Sequence, residues 1–220
     1  MKATVLLLIA AGTRTAEQPR VPFFSVANQP AIETLLQLAR RANAPLGIVA
    51  EDDSLCKSLV SYSGNDVPWS AAVQAVVTQV PGYAVHRTQG APVLVVAPLS
   101  PRPVTTRFLN LVDSRFGPLT STLQGLAAAL WVHVRYLIRP YQGVAVSVLS
   151  SPDDPVFRIE AQNATVEQIL NRIATASGAT WVLRPLPPAL EKVGGHIPFA
   201  LFSATQSPSA QSELCTPVTE

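Results

Sequence analysis

Cysteine, histidine, charge and long apolar runs are all scarce in this chain. Its two cysteines, Cys56 and Cys215, are too few for a disulfide scaffold and lack metal-ligand spacing. Its three histidines, His86, His133 and His196, stand far apart with no HExxH, and a metal site needs a cluster. Charged residues make up 14% of the chain and the formal net charge is +2. The basic residues are scattered, with Arg40-Arg41 the only adjacent pair, so no stripe marks a nucleic-acid partner. No apolar run approaches the roughly 20 residues of a membrane-spanning helix. Ser61-Tyr62-Ser63-Gly64 lacks the leading glycine of a nucleophile elbow. Gly-rich phosphate loops and the Gly-x-x-Gly clamp of RNA-binding KH modules are missing too. Enzyme chemistry, metal binding and nucleic-acid recognition therefore have no residue pattern to stand on, and no cofactor is expected.

What is present is core-forming material. Hydrophobic residues make up 48% of the 220 positions and mean hydropathy is +0.26. That composition argues against disorder and fits one large domain or two of about 100 residues.

An internal repeat is the strongest signal. Ala31, Thr34, Leu35, Leu38, Ala39 and Ala42 trace the apolar stripe of an amphipathic helix. The same spacing recurs 88 residues on (119 less 31), from Leu119 to Leu130. Trp69, Ala72, Val73, Val76, Val77 and Val80 recur 97 residues on (166 less 69), from Val166 to Ser177. The growth in offset places an insertion in the second copy, at Tyr141 to Pro155. Such repetition restricts architecture more than any single motif.

Two readings of the N-terminus stand side by side. Met1-Lys2, the mostly apolar run Ala3 to Ala11 and the small residues Ala10-Ala11-Gly12 resemble a secretory signal. The other reading is a buried first strand in a cytoplasmic structural protein. Export would permit a Cys56–Cys215 bridge; two unpaired thiols remain the alternative.

Along the first copy, strands are expected at 21–26, 46–50, 59–63, 83–87 and 92–97. Helices are expected at about 30–42, capped by Asn28, and 68–80, capped by Asp66. Val60 and Tyr62 should face inward. Pro98 to Pro103 marks a boundary. The second copy should open with a strand at 106–112, then a helix at 118–130 and a strand at 132–138. A strand at 156–161 follows, with Phe157 and Ile159 inward, then a helix begun by a Thr165–Gln168 capping box and a strand at 180–184. After that the repeat fails at Pro185-Leu186-Pro187-Pro188, and the hairpin partner is either missing or displaced to about 196–202. Glu51-Asp52-Asp53 and Asp153-Asp154 read as solvated loops, and Trp69, Trp131 and Trp181 as core. Residues 1–20 form the signal and linker, 21–98 and 104–202 the two modules, and 203–220 a disordered tail.

Certain residues carry a family resemblance. Ile32-x-x-Leu35-Leu36-x-Leu38-Ala39 leads into Leu46-Gly47-Ile48-Val49. A strand then closes on Ser63-Gly64-Asn65-Asp66-Val67-Pro68, followed by Ala71-Ala72-Val73-x-Ala75-Val76-Val77 and Tyr83-Ala84-Val85. This resembles the short N-terminal domain shared by secretins and TonB-dependent receptors. Ala161-Gln162-Asn163-Ala164-Thr165-Val166 and Gly178-Ala179-Thr180-Trp181 resemble its central turn and following strand a second time. The resemblance implies an α+β fold of two related βαββαββ modules. It also implies a non-catalytic role in the periplasm or outside the cell, docking onto envelope proteins and associating with an outer-membrane complex. Here the expected arrangement is a pair of modules without a pore domain or receptor barrel. The alternative is a periplasmic ligand-binding protein or enzyme that uses the cleft between the modules.

Overall fold

The computed structural model describes residues 19–88, 92–137, 146–149, 155–184, 199–202 and Cys215. The first half runs β1 (Arg20–Val21), β2 (Phe24–Pro30), α1 (Ala31–Ala42), β3 (Leu46–Val49) and α2 (Ser54–Lys57). It continues with β4 (Leu59–Gly64), β5 (Val67–Pro68), α3 (Trp69–Val77), β6 (Tyr83–Arg87) and β7 (Leu94–Pro98). The second half runs α4 (Pro103–Leu109), β8 (Val112–Thr122), α5 (Leu123–Leu137), β9 (Val146–Leu149), β10 (Val156–Thr165), α6 (Val166–Ser177), β11 (Thr180–Leu183) and β12 (Phe199–Phe202). The fold is α+β. Among the described residues no helix is long and apolar enough to cross a membrane. The signal and linker lie outside the described residues up to position 18, as do most of the inserted loop and of the tail.

One strand plan occurs twice. β2 pairs antiparallel with β4, and β8 with β10. In the first half β6 is antiparallel to β7, which is parallel to β3. In the second, β11 is antiparallel to β12, which is parallel to β9. The correspondence reaches single residues. Asp66 and Asn163, 97 apart (163 less 66), both hold left-handed backbone, at φ 52° and 47°, three residues before a helix begins. Asn and Asp adopt that conformation at lower cost than other non-glycine residues.

The structure corrects several expectations. Asn28 does not cap α1: it sits in a bulge of β2 with φ 52°, and Pro30 precedes the helix without a side-chain cap. Asp66 does not cap α3, and its carboxylate pairs instead with Arg20 Nε at 2.7 Å. The segment 106–112 is not one strand, because Pro103 opens α4 and buries Thr105 and Phe108 on one side of a helix. The helix expected at 118–130 begins only at Leu123, because β8 extends to Thr122 to match β10 at Val156. The strand expected at 132–138 is the end of α5, where Val134 is buried. Its counterpart is β9, inside the segment read as an inserted loop. The helix offset is therefore 92 (123 less 31), not 88. Leu123, Leu126, Ala127, Leu130 and Val134 are buried at the spacing of Ala31, Thr34, Leu35, Leu38 and Ala42. A helical stripe nearly repeats after one turn, so it cannot fix its own start.

Other expectations hold. Thr165 and Gln168 form the capping box, and β12 is the displaced hairpin partner of β11. Val60 and Ile159 are buried, with Tyr62 and Phe157 half-buried against the two cores. Trp69 and Trp181 are buried, and Trp131 is partly buried against its core.

The two halves are not separate bodies. β3 and β11 pair in parallel, Gly47 opposite Trp181, which joins the strands into one sheet of order β6-β7-β3-β11-β12-β9. Leu46, Ile48, Leu94, Val96 and Val182 point into a core with α1 and α3. Val49, Val93, Val95, Trp181 and Leu183 point into a second core with α5 and α6. The sheet thus lies between two helix layers, one from each half. Its central strands are covered on both faces, which is why Leu46–Val49, Val93–Val96 and Thr180–Leu183 do not alternate.

Gly47 is needed at this joint. A Cβ placed there would overlap the six-membered ring of Trp181, and that ring is fully buried. Gly47→Ala should destabilise the protein by about 1–3 kcal/mol through overpacking, read as a lowered urea midpoint. A midpoint within error of the wild type would show that the ring can yield.

Candidate functional site

Three neighbouring strands, β7, β3 and β11, run parallel, and their carboxyl ends lie together. That is the position where open α/β sheets place ligands. Each chain leaving these ends brings charge: Glu51, Asp52 and Asp53 after β3, Arg102 after β7, and Arg184 after β11. The side chains of Glu51 and Arg102 are 7% and 22% exposed.

Glu51 accepts the Arg102 backbone N–H on both carboxylate oxygens, each at 2.9 Å. The Arg102 Nε lies 3.9 Å from Oε2. Asp52 accepts from the Ser54 backbone N–H at 2.8 Å and from the Tyr83 hydroxyl at 3.1 Å. Burial works to raise the Asp52 pKa, but the donors Ser54 and Tyr83 and the charge on Arg102 together hold it below the usual range. The Tyr83 phenol is pushed far up by burial and by the Asp52 carboxylate. Asp53 binds Arg184 Nη2 at 3.0 Å and Lys57 Nζ at 3.2 Å. The acidic triplet is a loop with Asp52 exposed, as expected, but all three carboxylates are engaged by other parts of the chain. Each carboxylate holds a different part of the chain. Beside it Asp52, Asp53, Ser54, Lys57, Ser58 and Pro81 line an open groove of about 520 Å³.

Chemically, this corner is balanced, with three acids facing two arginines and a lysine. Asp52 is held below the usual carboxylate range, away from the near-neutral value a general acid needs. Among the described residues no group of three or more His, Cys, Asp and Glu side chains could hold a metal ion. The corner clasps the two halves together.

A second polar network lies across the same boundary. Thr88 Oγ1 donates to Glu167 Oε1 at 2.6 Å, and Asn171 Nδ2 donates to Thr88 Oγ1 at 2.8 Å. Trp181 Nε1 donates to Asn171 Oδ1 at 2.8 Å. His86 Nε2 stands 3.8 Å from Glu167, an ion-pair distance. Interaction with His86, Thr88 and Asn171 lowers the Glu167 pKa against partial burial, which works to raise it. His133 has a structural place too. Its Nδ1 lies 2.6 Å from Oδ2 of the buried Asp113, and its ring meets Phe116 edge-on.

Cys56 and Cys215 are bridged, closing a sequence separation of 159 residues. Both pack against the core under α1 and α3, so the bridge fastens the distal chain to the first half. No family model, no curated protein and no solved structure matches this chain.

Two outcomes are expected. Reducing the bridge, or replacing both cysteines with serine, should cost between about 2 and 5 kcal/mol, measured by denaturant unfolding. A group whose folded pKa is depressed supplies stability that is present above its unfolded value and lost as pH falls through the folded one. Glu167→Gln should therefore lower stability at pH 7 and flatten its decline below about pH 4, near the unperturbed glutamate value. An unchanged acid slope would remove Glu167 from the ionised network.

Proposed function

We propose that this chain is a non-catalytic protein–protein interaction unit of the cell envelope, of the secretin and TonB-receptor short-domain type, acting in the periplasm or outside the cell. The observation that carries the reading is the twofold recurrence of the strand plan. Each half follows the β-α-β-β-α-β-β order that the family resemblance implies, apart from the short β1, α2, β5 and α4. The Cys56–Cys215 bridge supports an oxidising compartment, since cytosolic thiols are kept reduced. The alternative, a ligand-binding protein or enzyme built on a cleft between modules, would need an opening where β3 and β11 form a continuous ladder.

Contact with an envelope partner would use exposed backbone at a sheet edge, where a strand can be added. The test is expression from the native start in a bacterial host, with a photo-crosslinking residue at the exposed Leu59 of β4, in the separate two-stranded β2–β4 sheet. A periplasmic species shortened by about 12 to 20 residues that gives discrete adducts with envelope proteins is the expected result. A full-length cytoplasmic species without adducts would overturn the proposal.

A further inference from the structure

The joint between the halves has a property beyond holding them together. It uses unlike edges. In the repeat, β11 is the counterpart of β6, and β9 is the counterpart of β3. The joint pairs β3 of the first half with β11 of the second. The two edges left over are β6 and β9, which are the same two unlike edges again. Among the described residues no strand pairs with the outer side of either.

Direction is also conserved. β3 and β11 are parallel. β6 is antiparallel to β7, and β7, β3 and β11 share one direction. β12 opposes β11, and β9 follows β12. β6 and β9 therefore point the same way, so a second copy in the same orientation can set its β6 beside β9 of the first. The helix layers alternate across the joint, first half on one face and second half on the other. A translated copy continues that alternation.

The backbone groups are aimed for it. Leu99 N–H donates to Gly82 C=O at 2.8 Å, and Pro98 opposite Tyr83 has no N–H to give. Hydrogen-bonded pairs alternate in an antiparallel ladder, so Val85 turns its N–H and C=O away from β7. At the joint, Ala50 N–H donates to Leu183 C=O at 2.8 Å, so Leu183 turns its polar groups toward β3. Aligning the two three-stranded units on this pattern sets Leu183 on Val85, Ile48 on Val146 and Ala50 on Val148.

We infer that the β6 and β9 edges bind each other between copies of this chain, in parallel, repeating the β3–β11 joint and extending the sheet head to tail. Val85 N–H would donate to Val146 C=O of the next copy, and Val148 N–H to Val85 C=O. Unlike edges make a heterologous contact, which propagates into rings or filaments and does not stop at a dimer. The inference rests on strand order and direction, not on the envelope role.

Two proline variants test it, because proline at an outward-facing edge position removes a donor without breaking the sheet's own ladder. Val85→Pro blocks the β6 edge, and Val148→Pro blocks the β9 edge. With the oxidised full chain, sedimentation velocity should show a mean mass that rises with wild-type concentration. Each variant alone should stay monomeric, while an equimolar mixture, which retains one intact edge of each kind, should give a 1:1 dimer and nothing larger. An unchanged far-UV spectrum and an intact Cys56–Cys215 bridge would establish that the variants fold. A wild type that stays monomeric at every concentration would overturn the inference. So would growth that persists in both variants, since that would put the contact on another surface.

Discussion

The β3–β11 ladder is the constraint on which the rest of this molecule depends. It sets two three-stranded units side by side in one sheet and puts their helices on opposite faces. The central strands then lose contact with water on both sides, so every residue of β3 and β11 is buried. The cost of such a joint is steric. The largest side chain of β11 must find room beside β3, and it finds it at Gly47, the one residue type without a Cβ. Trp181 then spans the boundary and hands its indole N–H to Asn171, itself buried on α6.

Polar contacts finish what packing begins. At the carboxyl ends of the parallel strands, each acid of the Glu51–Asp53 triplet holds a separate segment, and two of those segments lie beyond the first half. Away from those ends, Thr88 from the β6–β7 hairpin meets Glu167 on α6. Groups of this kind contribute little singly when exposed. Glu51 and Glu167 are largely buried and hydrogen-bonded, where leaving one partner unmatched carries the larger penalty. The Cys56–Cys215 bridge restrains the unfolded chain as well as the folded one, because it closes a long loop.

Much of the first half was legible in the residues. The helices at 31–42 and 69–77 follow from apolar periodicity. The 83–87 and 94–98 hairpin follows from β-rich runs around a short polar turn, and the capping box at Thr165–Gln168 from its spacing alone. Failures concentrated where one local pattern serves two structures. The sequence Leu119 to Leu130 carries a helical stripe, but its first turn is taken by β8 because β10 needs a full-length partner. Asn28 and Asp66 look like helix caps, yet both hold left-handed backbone three residues ahead of the helix, Asn28 in a strand bulge. The contacts of the acidic triplet were not legible because its partners, Arg102 and Arg184, are distant in sequence. An unused signal was the lack of alternation in Leu46–Val49 and Thr180–Leu183, which marks strands covered on both faces.

The amino-acid sequence by itself determined the class of the fold and the kinds of element in the first half. These depend on spacing between near neighbours, which the chain carries whether folded or not. Only the tertiary structure decided that the two halves share a sheet, that Cys56 meets Cys215, and which strands lie at the edges of that sheet among the described residues. Those facts depend on which strand lies beside which, and strand pairing over long separations is chosen by the burial of both faces together. No local run of residues encodes that choice.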